Sequence, residues 1–173
     1  MGVVISVVSS RAAVFKICFL SFIFIICGAC SSSSLPDPIE PGTQAPFVRM
    51  TYVDGVYGSL TSFRGKKVAF LFWAEWCSKS KNAISEFSKL ATKHPQTTFI
   101  AVNLDEQKNE EKFREYIATH KLPGVKHVFS GNGGDDETAH AFRIYDVPNV
   151  VAVDGSGIVR IVSSDVDDLE SFF

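Results

Sequence analysis

From Lys67 to Ala74 the chain reads KVAFLFWA, an unbroken apolar run. Such a run is what a strand buried on both faces requires. Ahead of it, FVRMTYVDGVYGSL alternates apolar and polar positions around Asp54-Gly55, predicting a β-hairpin with a two-residue turn. Behind it, Ile84, Phe87 and Ala91, flanked by Ala83 and Leu90, recur at helical spacing and predict a helix from about Cys77 to Lys93. TFIAVNL predicts the next strand, and NEEKFREYIATH a helix with Phe113, Tyr116 and Ile117 inward, ended by KLPG. VKHVF follows as a short strand and GNGGDDE as a flexible surface connection. AFRIYDVPNVVAVDGSGIVRIV then reads as a short helix or turn, Pro148, a strand from Asn149, a DGSG turn and a strand from Ile158. SSDVDDLESFF can cap and start a helix of about two turns. Alternating βαβα closed by a hairpin implies an α/β layer fold with a mixed sheet.

The first thirty residues follow another pattern. They hold no acidic residue and two basic ones, Arg11 and Lys16, ahead of the apolar run Ile17–Cys30. Fourteen residues rise only ~21 Å as a helix, short of the ~30 Å hydrocarbon core of a bilayer, so the run suits a signal peptide better than a span. Gly28 and Ala29 stand just before Cys30, which resembles a bacterial lipoprotein processing box whose cysteine becomes the lipidated first residue. Cys27 departs from that box, which usually carries an aliphatic residue there. An ordinary or uncleaved signal segment is the alternative. The N-terminal MGVVIS also fits a loose myristoylation pattern, but a hydrophobic export segment directly behind it argues against that use.

The expected organisation is a signal peptide over 1–29, a Ser/Pro-rich tether over 30–45 and a folded domain over 46–173. The stretch Ser31–Pro46 holds four serines and four prolines and reads as a spacer that keeps the domain off a membrane surface.

Composition narrows the possibilities. The 173 residues are 46% hydrophobic, include 15 phenylalanines and carry a formal net charge of −2, which describes one globular domain. No basic excess points to nucleic acid. The histidines stand apart from the cysteines and show no zinc-ligand spacing, so neither a metal nor a cofactor is expected. Cleavage before Cys30 removes Cys18 and Cys27, caps Cys30 as a thioether, and leaves Cys77 as the one titratable cysteine. Loss of Arg11 and Lys16 also leaves 15 basic residues against 19 acidic ones, a net charge of −4. Cys77 then has no disulfide partner in the chain and is not a structural staple.

Several segments in order resemble the thioredoxin superfamily, in its exported, membrane-tethered branch that includes the thioredoxin-like proteins of cytochrome c maturation and shades into peroxiredoxins. They are APF before the first strand, SLTSFRGKKV leading into the central strand, FWAEWC, and FRIYDVPN ahead of the hairpin. The resemblance covers most of Pro41 to Arg160. It implies a thioredoxin-like fold, a mixed central sheet flanked by helices with an N-terminal hairpin extension. It also implies a cis peptide bond at Pro148 beside the site, where the Val147 backbone pairs with an extended substrate and Trp76 shapes the groove.

In this family a cysteine at a helix start attacks a substrate disulfide and a second cysteine resolves the product. Cys77 holds the first position, where unpaired backbone N–H groups and the helix dipole favour thiolate. Ser80 holds the second, and a hydroxyl cannot resolve a mixed disulfide, although it can donate a hydrogen bond to the thiolate. Lys79 or Lys81, if close, adds to that preference. Leu71 stands where many thioredoxins carry a buried aspartate, Asp146 at a usual glycine and Asn149 at a usual threonine; Glu75 matches a common acidic residue and is expected to face solvent. Trp73 is expected in the core. His94, His120, His127 and His140 are scattered and none is assigned to catalysis.

Three functions compete. The first is thiol–disulfide exchange in the cell envelope by a monothiol route, with an external protein or small-molecule thiol resolving Cys77. This protein is expected to be a monomer held to the membrane by a lipid anchor. The second is a binding module that uses the fold's groove without turnover, motivated by the missing cysteine and missing acid. The third is peroxide reduction, weakened because peroxiredoxins place Thr or Ser where this chain has Ala74. A copper chaperone would need a cysteine pair.

Overall fold

A computed structural model describes Gly2 and residues 38–173 of the chain. The expected signal segment, Cys30 and the tether as far as Asp37 therefore lie outside the described residues. The fold is built around β3 (Val68–Trp73), whose six residues are all buried. β3 pairs in parallel with β4 (Thr98–Asn103), which pairs in parallel with β5 (Val125–Phe129). On its other side β3 pairs antiparallel with β6 (Asn149–Val153), and β6 with β7 (Val159–Ser163). The sheet order is thus β5-β4-β3-β6-β7, the mixed sheet expected from the pattern.

Strand alternation explains why β3 is apolar throughout. Val68, Phe70 and Phe72 face one layer, packed with Ile100, Val102, Val151 and Phe142. Ala69, Leu71 and Trp73 face the other, packed with Ile84, Phe87, Phe99 and Phe113. The second layer is covered by α1 (Ser78–Lys93) and α2 (Glu110–His120), and by a 3-10 helix over Val166–Phe172 that Asp165 caps. The first is covered by α3 (Glu137–Ala141) and by the hairpin of β1 (Arg49–Thr51) and β2 (Tyr57–Ser59). Leu71 is completely buried against α1, so apolar packing occupies the place where the resemblance puts an aspartate.

Two local expectations change. The hairpin turn holds three residues, not two: Tyr52 N–H donates to Val56 O at 2.9 Å, and Gly55 N–H donates to Tyr52 O at 2.8 Å. Gly55 takes φ +82°, the left-handed residue such a three-residue turn needs. GNGGDDE is a structured connection: Gly133–Asp135 form a 3-10 turn, and the buried Asp136 carboxylate accepts from Thr138 N and Ala139 N, both at 2.9 Å, starting α3. A carboxylate at a helix start satisfies N–H groups that would otherwise be unpaired, which orders the loop.

At the other end of the sheet, Gly42 and Ala45 donate backbone hydrogen bonds to Val159 and Gly157, and Val159 donates to Thr43. The last residues of the Ser/Pro-rich stretch thus line the edge of β7. Among the described residues no helix is long and apolar enough to cross a membrane.

Candidate thiol site

The site forms where the parallel strands β3 and β4 end and the chain turns into α1. Ala74 ends the buried run, and the turn Ala74–Cys77 is closed by the Cys77 N–H donating to Ala74 O at 3.2 Å. Cys77 is the N-cap of α1, with φ −95° and ψ 113° and no side-chain cap bond. The first helical bond runs from Lys81 N–H to Cys77 O at 3.1 Å. The first turn carries no acidic side chain, so nothing on it neutralises the positive helix end facing the sulfur.

Cys77 is half-buried, and its ionisation reflects opposing influences. Burial is the largest and pushes the thiol up. The Ser80 hydroxyl, the backbone N–H groups of Ser80 and Lys79, and the Lys79 charge pull it down, and together they leave it below the ordinary thiol value. Ser80 is fully buried and its hydroxyl has no hydrogen-bond partner while Cys77 is a neutral thiol. The sulfur becomes its acceptor on ionisation, which is how an unsatisfied buried donor comes to favour thiolate. The neutral thiol has a different partner: Cys77 Sγ donates weakly to Val147 O at 3.8 Å.

That carbonyl belongs to the Val147–Pro148 peptide, which is cis. The structure therefore brings Cys77, Ser80 and Val147 together from two segments seventy residues apart, with Pro148 completing the bend into β6. Trp76, the residue before Cys77, is 65% exposed, an uncommon position for so large an apolar ring. Tyr145 is 44% exposed on the segment leading to Val147. Trp73, in contrast, is fully buried between Phe113 and Tyr116. Cys30 lies outside the described residues.

Charged neighbours differ from expectation at one point. Glu75 does not simply face solvent: its side chain is 20% exposed and pairs with Lys81 Nζ at 2.6 Å. Lys81 in turn lies over the Tyr116 ring, which leaves Lys79 as the cation acting on the sulfur. No hydrogen bond or ion pair joins His94, His120, His127 or His140 to Cys77. Among the described residues no group of His, Cys, Asp or Glu side chains is placed to hold a metal ion.

Sequence reasoning passed over Asn103 and Asp105. Both are completely buried at the end of β4, and Asp105 Oδ2 accepts the Glu75 N–H at 2.9 Å. The available signal was two polar residues where the apolar strand ends, Asn103 within TFIAVNL and Asp105 just after it.

Comparison with known proteins agrees with this geometry. A sequence model of the thioredoxin-like family matches residues 65–159. The thioredoxin-like protein YneN of Bacillus subtilis is 31% identical over 86 residues, which span 49% of this chain and 51% of that protein. This chain thus covers about half the length of that relative. The thiol-disulfide oxidoreductase ResA of Bacillus thuringiensis is 21% identical over 143 residues, covering 79% of this chain and 80% of ResA. The crystal structure of the thioredoxin domain of a Bacteroides vulgatus thiol-disulfide oxidoreductase superposes with a TM-score of 0.63 at 22% identity, over 78% of this chain and 98% of that domain. With a matched family model, a mixed five-stranded sheet and a helix-start cysteine facing a cis-proline, the chain belongs to the thioredoxin-like family.

Proposed function

We propose that this protein is an exported, lipid-anchored member of the family that exchanges thiols and disulfides at Cys77 by a one-cysteine route. The observation that carries the reading is the setting of the sulfur. A half-buried thiol at a helix start faces a buried, unpartnered hydroxyl, two backbone N–H groups and Lys79, and is held below its ordinary ionisation range. A thiolate is the attacking species in exchange.

The Cys77 thiolate attacks one sulfur of a substrate disulfide; a Cys77–substrate disulfide forms and the other substrate sulfur leaves as a thiolate. An external thiol, deprotonated, then attacks the substrate sulfur of that mixed disulfide, forms a new disulfide with it and releases Cys77 as thiolate. One disulfide and one thiol enter; one disulfide and one thiol leave, and Cys77 is unchanged. Ser80 stabilises the thiolate both before attack and as leaving group, and has no sulfur with which to close the cycle internally. The exposed Trp76 and the backbone of Val147 supply the face on which an extended substrate lies. The relatives named thiol-disulfide oxidoreductases support this class of chemistry. The envelope location, the Cys30 anchor, the monomeric state and a thiol or disulfide partner in the envelope rest on the sequence alone.

The test is a trap: acid-quench cells producing the exported protein and identify what is disulfide-linked to Cys77. Mixed disulfides that vanish in Cys77→Ser support exchange; their absence, with an ordinary thiol ionisation at Cys77, sinks it. The second reading, a binding module, is favoured by one observation, that Ser80 fills the resolving position with a fully buried hydroxyl. A Cys77→Ser protein that folds and retains full biological effect would establish that reading instead.

A further inference from the structure

Asp105 is a carboxylate that no step of the exchange uses. It is completely buried just past the end of β4, next to the end of β3 because the two strands run parallel with Trp73 opposite Asn103. A buried carboxylate is costly unless hydrogen bonds replace its water, so its partners indicate its purpose. Oδ2 accepts from the Glu75 backbone N–H at 2.9 Å and from Asn103 Nδ2 at 2.7 Å. The Asp105 N–H donates to Asn103 Oδ1 at 3.0 Å, and Gly133 N–H donates to the Asp105 carbonyl at 3.3 Å. Oδ2 and the backbone of Asp105 are thus held from both sides, while Oδ1 is buried without a partner.

Glu75 is the second residue of the Ala74–Cys77 turn, the whole of the chain between the buried end of β3 and the reactive sulfur. Its backbone is tied to β4 through Asp105, and its side chain to α1 through Lys81. Those two ties, with the Cys77 N–H to Ala74 O bond, orient the turn relative to both elements.

We propose that Asp105 is the positioning residue of the thiol site, holding the Glu75 N–H so that the Ala74–Cys77 turn presents the sulfur to the first turn of α1 and to the Val147 carbonyl. This rests on the reading of Cys77 as a reactive thiolate. A direct electrostatic role carries the opposite sign, since a nearby carboxylate disfavours thiolate. Asp105 is not among the groups acting on the sulfur; the charge that does is Lys79, while Glu75 is neutralised by Lys81, and Asp146 stands beside Val147 with Oδ1 accepting from Asn149 Nδ2 at 3.4 Å.

The experiment follows alkylation of Cys77 by iodoacetamide across pH in the full chain, read on the Cys77 peptide by mass spectrometry so that other cysteines do not interfere. Asp105→Ala is expected to move the midpoint upward and slow alkylation at pH 7 roughly 3- to 10-fold, the consequence of losing the hydrogen bond that holds the turn. Asp105→Asn keeps an acceptor in place and is expected to stay within about twofold of the native chain. Alkylation in Asp105→Ala that is unchanged or faster overturns the proposal, and faster alkylation in Asp105→Asn identifies a direct charge effect instead. Should Asp105→Ala not fold, Glu75→Pro removes the donor at a turn position that accepts proline, while Glu75→Ala keeps it. Slowing in Glu75→Pro but not in Glu75→Ala sustains the proposal; equal rates in the two overturn it. An ordinary thiol midpoint in the native chain defeats the exchange reading itself, whereas a low native midpoint that Asp105→Ala does not disturb defeats only this inference.

Discussion

The hydroxyl of Ser80 is buried without a partner, in the first turn of the helix that Cys77 begins, and the sulfur is the atom it acts on. Ser80 stands where the resemblance places a second cysteine, and its hydroxyl and backbone N–H lower the ionisation range of the first sulfur. Ser80→Ala is therefore expected to raise the ionisation range of Cys77 and slow its alkylation near neutral pH about 3- to 10-fold, the net worth of one hydrogen bond. Alkylation above pH 10, where any thiol is ionised, should not change. A pH–rate profile of Cys77 modification separates this effect from loss of fold.

Ser80→Cys asks whether the remainder of the site is competent. The Ser80 side chain acts on Cys77, so the variant is expected to form an internal disulfide and to reduce insulin with a dithiol reductant faster than the native chain. Failure to gain turnover, with the disulfide formed, would point to Leu71, an apolar residue packed in the core where the resemblance places an aspartate.

Trp76, next to Cys77 in the chain, is exposed and packs into neither core layer. Trp76→Ala should change stability by no more than about 0.5 kcal/mol, as exposed substitutions do. Exchange with peptide disulfides is expected to slow several-fold, because the apolar platform for an extended substrate is gone, while alkylation by small iodoacetamide stays the same. Parallel slowing of both reagents would place the residue's effect on the thiol and not on the substrate.

Most of the fold could be read from the sequence because its signals are periodic and local. The unbroken run at β3 implies burial on both faces, and it is buried on both. The spacing of Ile84, Phe87 and Ala91 implies one buried helix face, and all three are buried against the sheet. Cys77 and Ser80 were legible for the same reason, since a helix start and its first turn are close in sequence. The links that escaped the sequence reading are long-range. Glu75 meets Asp105 thirty residues away and the Cys77 sulfur meets Val147 seventy residues away; only the resemblance pointed to the second. The hairpin turn was misjudged by one residue because Asp-Gly fits both a two-residue turn and a longer one with glycine in the left-handed position.

Asp136 shows how a loop of glycines and acids can be structural. Its carboxylate accepts the N–H groups of Thr138 and Ala139 and is almost fully buried. Asp136→Ala is expected to cost about 1–2 kcal/mol, and Asp136→Asn less, because the amide oxygen still caps. Denaturant melts of the two variants measure this directly, and a loss under 0.3 kcal/mol in the alanine variant would mean the connection is held by its glycines alone.

His127 contributes a pH dependence to stability. It lies on β5, its Nδ1 is buried without a partner, and burial lowers its ionisation from 6.5 to about 4. The unfolded chain therefore takes up a proton below about pH 6.5 that the folded chain refuses until about pH 4. Stability conferred by the neutral ring is complete above that window and declines as pH falls through it, by on the order of 3 kcal/mol at most. Carboxylates titrate in the lower part of the same range, so the quantity to measure is a difference: urea melts at pH 7 and pH 4.5 for the native chain and for His127→Gln. The native chain should lose more stability between the two pH values than the variant does, by about 1–2 kcal/mol. Equal losses would mean that the β5 edge opens enough to hydrate the imidazole, and that its burial does not govern its charge.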